Sequence, residues 1–432
     1  MITHPFVSGG LKEEIWEITV NTEATTSGAK TTGIPINLYS QPGITMTVDW
    51  GDGTESVLTS ASYSSASDSA PSVHEYATAG TYIVQMKSTK WKGAYIDVLQ
   101  NNSTGNLSHI AGFRSTLVGV GQLPRCKGLL YRFSSTLDAY RATNNLFYCF
   151  YGCSKLTSIP NDLFDNNPAV TSFVSCFNGC SSLTSIPDGL FNNNPKVTNF
   201  GSCFRNCSNL TSIPASLFDN NPKVANFASC FNLCSNITSI PAGLFDNNPD
   251  VTSFDCCFWR CYKLQSIPSG LFRNNSKVTN FHMTFFDCNL SDIPVDIFTN
   301  CTAVTDMSGT FGANPISSVP SGLFSSQTLV TTLGNNTNTS NGIFSASNSN
   351  KGVIAIDENL FANMLNLTEA RFAFSGHYGF SIRFRATELT VVTSFCDKNT
   401  EQPVTVYVPA GSATAEAFHA IASTNGITVV EE

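Results

Sequence analysis

Charged residues are scarce in this chain. Asp, Glu, Lys and Arg make up 12% of its 432 residues, against the usual quarter, and Asn, Ser and Thr supply much of the polarity instead. The net charge is −8 without a long run of either sign, which disfavours partners such as nucleic acid or an anionic membrane surface. No apolar stretch approaches the ~20 residues of a membrane-spanning helix. We therefore expect no nucleic-acid partner and no membrane insertion.

The chain also lacks the motifs of enzymes and metalloproteins. The six histidines are scattered, and we find neither a nucleophile constellation nor a Gly-rich phosphate loop nor a histidine–carboxylate cluster at metal-ligand spacing. A glycosidase would need a carboxylate pair, and Asp255 with Asp287 is a weak candidate because Asp287 replaces a variable residue in one unit only. We predict a protein that is not an enzyme and has no catalytic residues, no cofactor and no metal.

The first ten residues, MITHPFVSGG, have neither the basic nor the apolar segment of a signal peptide. No lipobox cysteine stands near the start, and no sorting tail is seen at the end. We therefore expect residues 1–12 to act as an attachment arm, and we expect the protein to be made without an export signal.

The main feature of the chain is a repeat with a period of 27 residues, which extends from Phe150 to about Phe324. A representative unit, residues 170–195, reads VTSFVSCFNGCSSLTSIPDGLFNNNP. One cysteine and the proline of an Ile-Pro pair recur at steps of 27, and the prolines later change to steps of 26. These residues are Cys153, Cys180, Cys207, Cys234, Cys261 and Cys288, and Pro160, Pro187, Pro214, Pro241, Pro268, Pro294 and Pro320. Such a period predicts a solenoid, in which each coil buries its apolar side against its neighbours.

The apolar residues of one unit follow neither a helical spacing nor a two-residue alternation, which is typical of a coil that turns several corners. We predict a short strand at Val170–Ser175 that stacks in parallel from unit to unit, an extended piece at Leu183–Ile186, and a tight turn or 3₁₀ piece at Asp188–Phe191. The NNNP segment is read as a turn. The motif V-x-x-F-x-x-C-F-x-x-C-x-x-L-x-x-I-P-x-x-L-F resembles the BspA-like leucine-rich repeat, or 26-residue surface-protein repeat, which implies a leucine-rich-repeat solenoid.

A β-type pattern precedes the repeat. The segment VDWGDGT at 48–54 and the segment HEY at 74–76, with the following Gly80 and Tyr82, resemble the PKD domain, which implies an immunoglobulin-like sandwich. Asp49, Asp52 and His74 form a conceivable metal or catalytic cluster. We favour the simpler reading, in which the carboxylates cap a tight turn and the histidine bonds across the end of the sandwich.

The predicted fold is mainly β and has five parts. They are an attachment arm at 1–12, a PKD-like sandwich at 13–90, an N-terminal cap of degenerate coils at 91–145, the leucine-rich-repeat solenoid at 146–395 and a C-terminal cap at 396–432. The low-complexity segment Asn335–Lys351 is predicted to be a loop inserted into a coil. The C-terminal cap is predicted to be strand, short helix, strand, which resembles the end of many BspA-like proteins.

Fifteen cysteines raise the question of disulfides or zinc. The odd count and the two fixed positions in the repeat argue against a disulfide framework, and the even Cys-x-x-x-Cys spacing argues against four converging zinc ligands. Equivalent residues of stacked coils lie about 5 Å apart, so we predict a ladder of buried, reduced thiols, which favours assembly in a reducing compartment. The ladder comprises Cys149, Cys153, Cys176, Cys180, Cys203, Cys207, Cys230, Cys234, Cys257, Cys261 and Cys288.

Two columns of the repeat vary while the core positions change little. They contain Val174, Gly201, Ala228, Asp255, His282 and Ser308, and Asn178, Arg205, Asn232, Trp259, Phe286 and Gly312. We predict that these columns face solvent and that one end of them forms a recognition patch for glycan or protein. The predicted ligand-binding residues are Asp255, Trp259, Arg260, Tyr262, Lys263, His282, Phe286 and Arg205. The alternative is that Trp259 packs against another chain or against the Asn335–Lys351 loop.

In the two families that the chain resembles, these modules serve surface display and adhesion. Adhesion modules without an export signal, together with many thiols, favour a bacteriophage virion protein that is made in the host cytoplasm, such as a tail fibre, a receptor-binding protein or a capsid-decorating protein. Its expected partners are other virion proteins, through the N-terminal region, and a host surface glycan or protein; a homo-oligomer stays open. The alternative is a BspA-like adhesin on a bacterial cell surface.

Overall fold

The computed structural model describes residues 14–21, 33–39, 45–59, 72–78, 80–88, 95–99, 117–120, 128–131, 146–334, 342–346, 352–390, 392, 395–396 and 403–432. This part of the chain is mainly β and turn, with one α-helix near its C-terminal end. The N-terminal strands are β1 (Glu14–Asn21), β2 (Gly33–Tyr39), β3 (Thr45–Asp49), β4 (Glu55–Thr59), β5 (Ser72–Glu75), β6 (Thr81–Ser88), β7 (Tyr95–Leu99), β8 (Leu117–Val120) and β9 (Gly128–Tyr131).

These strands form two sheets, with the orders β4-β3-β6-β1-β8 and β5-β2-β7-β9. Strand β1 buries every second side chain, Trp16, Ile18 and Val20, as expected for a sheet with one covered face. The β3–β4 hairpin needs glycine at its turn, because Gly51 has φ +79° and a Cβ there would lie 2.4 Å from the Ile83 carbonyl oxygen. The alternation of apolar and polar residues on either side of a Gly-Asp-Gly turn therefore predicts this hairpin correctly.

The predicted cap of degenerate coils at 91–145 is wrong for the strands that the structure describes there. Strand β7 pairs with β2, β8 pairs with β1, and β9 pairs with β7. All three strands therefore extend the N-terminal sheets and do not begin the solenoid. A short apolar segment has the same local pattern in a sheet strand and in a degenerate coil. Here the open edges of the N-terminal sheets provide partners, so the segments become strands.

From residue 146 onward the chain forms stacked coils. Backbone hydrogen bonds join neighbouring coils. The N–H groups of one coil donate to carbonyl oxygens of the next, for example Phe173 to Asn199 at 3.0 Å and Ser175 to Gly201 at 2.9 Å. The predicted strand Val170–Ser175 is reduced to a single parallel bridge, between Ser172 and Asn199 in this coil. Ser175 has φ 54°, and a left-handed residue ends an extended run. In the remainder of this coil, turns at 174–179, 181–182 and 188–193 alternate with the segment 183–187, which is neither strand nor turn.

Phenylalanine rings fill the interior of the solenoid in three stacked columns. Neighbouring rings of the first column are 5.7 Å apart, as in Phe173 with Phe200. In the second column, the rings of Phe177 and Phe204 are 5.4 Å apart. In the third column, the rings of Phe191 and Phe218 are 6.3 Å apart. Every ring is fully buried. Each coil covers the rings of the preceding one, so a single coil has no core of its own.

Two columns of polar side chains are also buried between the coils. The Cys207 thiol donates to the Phe177 carbonyl oxygen at 3.2 Å, and four other cysteines of that column make the equivalent contact. The Asn221 side-chain amide donates to the carbonyl oxygens of Phe191 at 3.1 Å and of Asn194 at 3.0 Å. The last asparagine of this turn is therefore part of the core and bonds the preceding coil, as Asn194, Asn248 and Asn275 also do, which the prediction of a simple turn did not include.

The predicted cysteine ladder lies inside the solenoid. All eleven of its members are buried, and none forms a disulfide. Burial raises the pKa of Cys180, Cys207 and Cys261 well above the ordinary value, because the interior disfavours the charged thiolate. These thiols therefore act as small apolar core residues that also donate a weak hydrogen bond.

The predicted inserted loop Asn335–Lys351 is in part a piece of the core. Of this segment the structure describes 342–346, where Phe344 is buried and stacks between Phe311 at 5.9 Å and Phe374 at 5.6 Å. Phe344 thus continues the second phenylalanine column. The remainder of the predicted loop lies outside the described residues. Strands β10 (Gly352–Val353) and β11 (His377–Tyr378) pair in parallel after it.

The C-terminal end is a small parallel sheet with one helix. Strands β12 (Ser381–Arg383), β13 (Val404–Val408) and β14 (Ile427–Glu431) lie side by side in that order. Helix α1 (Ala413–Asn425) connects β13 to β14; the Ser412 hydroxyl caps its start and Gly426, with φ 64°, ends it. Its Phe418 packs against Phe384 and Phe395, which closes the core. Among the described residues no helix has the length and apolar character needed to cross a membrane.

Candidate functional site

The two variable columns are only partly open to solvent, whereas the sequence predicted that they face it. Their side chains are half-buried or buried, and Phe286 is only 8% exposed. Coils lie so close together that a side chain in these columns is covered by its neighbour in the next coil. Phe286 can be covered because the equivalent position in the next coil is Gly312, where a Cβ would lie 2.7 Å from the Phe286 ring. The missing side chain leaves room that the ring fills.

Asp255 and His282 form the centre of the candidate site. His282 Nδ1 lies 2.7 Å from Asp255 Oδ1, and both side chains remain partly exposed. Burial opposes protonation of the His282 ring, but the hydrogen bond and charge of Asp255 and the further charge of Asp306 outweigh it and raise the pKa of His282. Backbone contacts fix the pair, since the His282 N–H donates to Asn280 Oδ1 at 2.7 Å. The sequence prediction named both residues but not their contact.

Cys256 belongs to the same cluster and was missed from the sequence. Its Sγ atom donates to Asp255 Oδ1 at 3.3 Å. Burial and the adjacent Asp255 carboxylate raise the pKa of the Cys256 thiol, while the positive charge of Arg205 opposes this shift. The signal was present in the repeat: Cys256 stands outside the two ladder columns, at a left-handed position where other coils have Ser175, Ser202 and Ser229.

A second group lies one turn further along the same coil. The Arg260 guanidinium lies 4.9 Å above the Trp259 ring, which is within the range of a cation–π contact. Arg260 Nε also donates to Asp287 Oδ2 at 3.2 Å, and its side chain stays 43% exposed. The Trp259 indole N–H is buried and has no hydrogen-bond partner among the described residues. Trp259 is thus half-buried and covered by arginine, whereas the prediction had it exposed.

The predicted ligand-binding residues therefore divide into three sets. Asp255 and His282 lie beside Cys256, the positive charge of Arg205 acts on that thiol, and Trp259 with Arg260 forms the adjoining group; together these residues are called the coil patch below. Tyr262 and Lys263 are exposed on the turn after Cys261. Phe286 is a core residue beneath the patch.

The N-terminal cluster Asp49, Asp52 and His74 has the arrangement of a braced turn. Asp49 Oδ1 accepts from the Gly51 N–H and Asp52 Oδ1 from the Thr54 N–H, both at 3.0 Å. His74 Nε2 lies 2.7 Å from Asp52 Oδ2, and its ring stacks on Trp50. These contacts agree with the simpler reading of the sequence, in which the three residues hold the hairpin.

Comparison with known proteins gives little beyond the fold. No protein-family model matches the chain, and no curated protein matches it. A chain of the Drosophila Toll–Spatzle complex is 14% identical, with 72% of this chain and 52% of that chain covered and a TM-score of 0.34. A chain of the TLR13–ssRNA13 complex is 12% identical, with 72% and 54% covered and a TM-score of 0.22. The chain thus spans about half the length of these solved structures.

With similarity this low, the solenoid is assigned from this chain's own coils. It is of the leucine-rich-repeat type, because one buried position of the coil is occupied by Leu156, Leu183, Leu210 and Leu264 and successive coils are joined by single parallel bridges.

Proposed function

We propose that this protein is a non-enzymatic adhesion protein of a bacteriophage particle, which binds a host surface glycan or protein through the coil patch. The observation that carries the proposal is the contrast between the coils. Positions that elsewhere hold small or neutral residues, such as Ala228 and Asn232, hold Asp255 and Trp259 in the next coil, while the buried core stays apolar, with Ile237 replaced by Leu264. A tryptophan with an arginine over its ring has the composition of a recognition site.

The thiol ladder supports a site of synthesis in a reducing compartment. The described cysteines form no disulfide, although equivalent members of one column belong to adjacent coils. Free thiols persist in the cytoplasm, whereas exported proteins tend to form disulfides. A protein that folds in the host cytoplasm keeps its thiols reduced, and it can still be displayed at a surface when it is built into a particle. The PKD-like nature of the N-terminal sheets and the BspA-like nature of the repeat are parts of the same proposal, and they support surface display.

The ligand part of the proposal is tested by Trp259→Asn. Asparagine occupies the same position as Asn178 and Asn232 in other coils, so the variant keeps a side chain that this fold already accommodates. We expect adsorption of the purified protein to host cells to fall at least about tenfold, which corresponds to about 1.4 kcal/mol, at an unchanged melting temperature. The control is Lys223→Ala, an exposed residue outside the patch, which should adsorb normally. Unchanged adsorption of Trp259→Asn would exclude the patch as the binding site.

The virion part is tested separately by immunogold labelling of phage particles purified from the source culture. Label on capsid or tail is the expected result, and its position distinguishes decoration from host recognition. Label on bacterial envelopes alone would instead make the protein a surface adhesin, which is the alternative.

A further inference from the structure

We propose that Asp255, Cys256 and His282 form a binding site for a Zn²⁺ ion, with one coordination position left open. The proposal does not depend on the adhesion function. It concerns a cluster that sequence spacing hides, because His282 lies a full coil, 27 residues, beyond Asp255. Stacking of the coils is what brings the three side chains together.

The geometry of the cluster suits one small cation. One donor atom from each of the three residues lies within 4.8 Å of the others, and Asp255 Oδ1 is 2.7 Å from His282 Nδ1 and 3.3 Å from Cys256 Sγ. A tetrahedral zinc ion with bonds of about 2.0–2.3 Å separates its ligand atoms by about 3.3–3.8 Å. The Asp255–His282 contact has to widen by about 0.6 Å for the ion to enter, and the Cys256 sulfur, which lies within 4.8 Å of the other two donor atoms, has to close around it.

The donor types select the metal. A carboxylate oxygen, a sulfur and an imidazole nitrogen are the three ligand types of zinc sites, whereas Mg²⁺ and Ca²⁺ take oxygen ligands. The His282 nitrogen that faces the other two donor atoms is Nδ1, which lies 2.7 Å from Asp255 Oδ1, so it is the atom that would bind the ion. Three protein ligands and an open position are also the arrangement of zinc sites that accept a further ligand.

The backbone holds the three residues in place. The Cys256 N–H donates to the His282 carbonyl oxygen at 2.8 Å, so the two ligand-bearing positions are directly linked, and the Asp255 N–H donates to the Ser253 hydroxyl at 3.2 Å. The charges that face the cluster are Asp255 and Asp306, which are negative, and Arg205, which is positive. With Cys256 ionised the surroundings are net negative and suit a divalent cation.

Binding requires one covalent change at Cys256. The S–H bond breaks, its proton leaves to solvent, and the sulfur electron pair forms the bond to the metal; no electron is transferred. Metal binding should therefore release at least one proton per ion, and it should weaken as the pH falls because protons compete for the same donor atoms.

The repeat provides substitutions that remove each ligand without introducing a new kind of residue. Ala228 stands at the position of Asp255, Ser229 at that of Cys256, and Ser308 at that of His282. The corresponding variants are Asp255→Ala, Cys256→Ser and His282→Ser. Cys230→Thr serves as the control, since it removes a buried ladder thiol at a position where later coils have threonine, and it leaves the site untouched.

The experiment is titration of the reduced, metal-free full-length protein with Co²⁺, followed by its absorption spectrum, and then displacement of Co²⁺ by Zn²⁺. The expected result is one ion per chain, visible bands of tetrahedral cobalt and a near-ultraviolet thiolate-to-cobalt band. The thiolate band should vanish in Cys256→Ser, affinity should fall at least about tenfold in the other two variants, and Cys230→Thr should behave as the wild type. A wild-type protein that gives no such bands, or a thiolate band that persists in Cys256→Ser, would overturn the proposal.

Discussion

The buried asparagine column can be tested with a single isosteric change, Asn221→Asp. Asn221 is fully buried and its amide nitrogen donates to two carbonyl oxygens of the preceding coil. An aspartate of the same shape leaves no cavity, but its ionised form places a negative oxygen against both carbonyls. The carboxyl therefore stays protonated in the folded protein, and the folded pKa lies well above that of the unfolded chain.

The magnitude follows from that proton. Keeping the carboxyl protonated at pH 7 costs about 1.4 kcal/mol for each pH unit above an unfolded pKa of about 3.9, or about 4 kcal/mol. A protonated carboxyl donates one hydrogen bond where the amide donates two, so a further ~1 kcal/mol is lost. The free energy of unfolding should fall by about 5 kcal/mol at pH 7 and by only about 1.5 kcal/mol at pH 4, because about half of the unfolded carboxyls also hold the proton at pH 4.

Urea unfolding followed by circular dichroism, with each variant compared to the wild type at the same pH, measures both values. The matched control is Asn220→Asp, the exposed neighbour, which should stay within about 0.5 kcal/mol at both pH values. If Asn221→Asp at pH 7 is as stable as this control, the residue does not link the coils and the reasoning is refuted.

Three further outcomes follow from the core. Phe227→Ala should lower the free energy of unfolding by about 3–5 kcal/mol, measured by urea titration, because its ring is stacked between two others; a loss below 1 kcal/mol would contradict that packing. Cys234, whose pKa burial raises to about 12, should resist iodoacetamide at pH 8 until the protein is denatured, as peptide mass spectrometry would show. Stability should fall as the pH rises above 9, because unfolded thiols ionise there while folded ones stay protonated, by about 1.4 kcal/mol per pH unit and thiol; flat stability between pH 9 and 11 would speak against the buried ladder.

The solenoid could be predicted from the sequence because its signal is a period, and a period survives changes at individual residues. The burial of Cys207 followed from the same signal, since a residue repeated in every coil must meet its own equivalents. The strand–helix–strand order at the C-terminal end was also confirmed by β13, α1 and β14. These features depend on local pattern or on repetition.

The remaining features depend on what a segment meets in three dimensions. Strand β8 has the sequence of a degenerate coil and pairs with β1 instead. Phe344 lies within a low-complexity stretch, yet it fills a place in a column that begins far earlier in the chain. Trp259 was predicted to be exposed because its position varies, but a variable position between closely spaced coils is still half-covered by its neighbours. Cys256 gives no periodic signal, because it replaces the serine of Ser175, Ser202 and Ser229 in one coil only.

The equal spacing of the coils has a consequence for the gene. Hydrogen bonds between coils, such as those from Asn194 and Asn221, join residues that are 27 positions apart, so removal or duplication of one whole period brings equivalent residues back into contact. A gene that loses or gains one whole period is therefore expected to yield a shorter or longer protein that still folds. The length of the solenoid can then change in steps of one coil without loss of the contacts between coils.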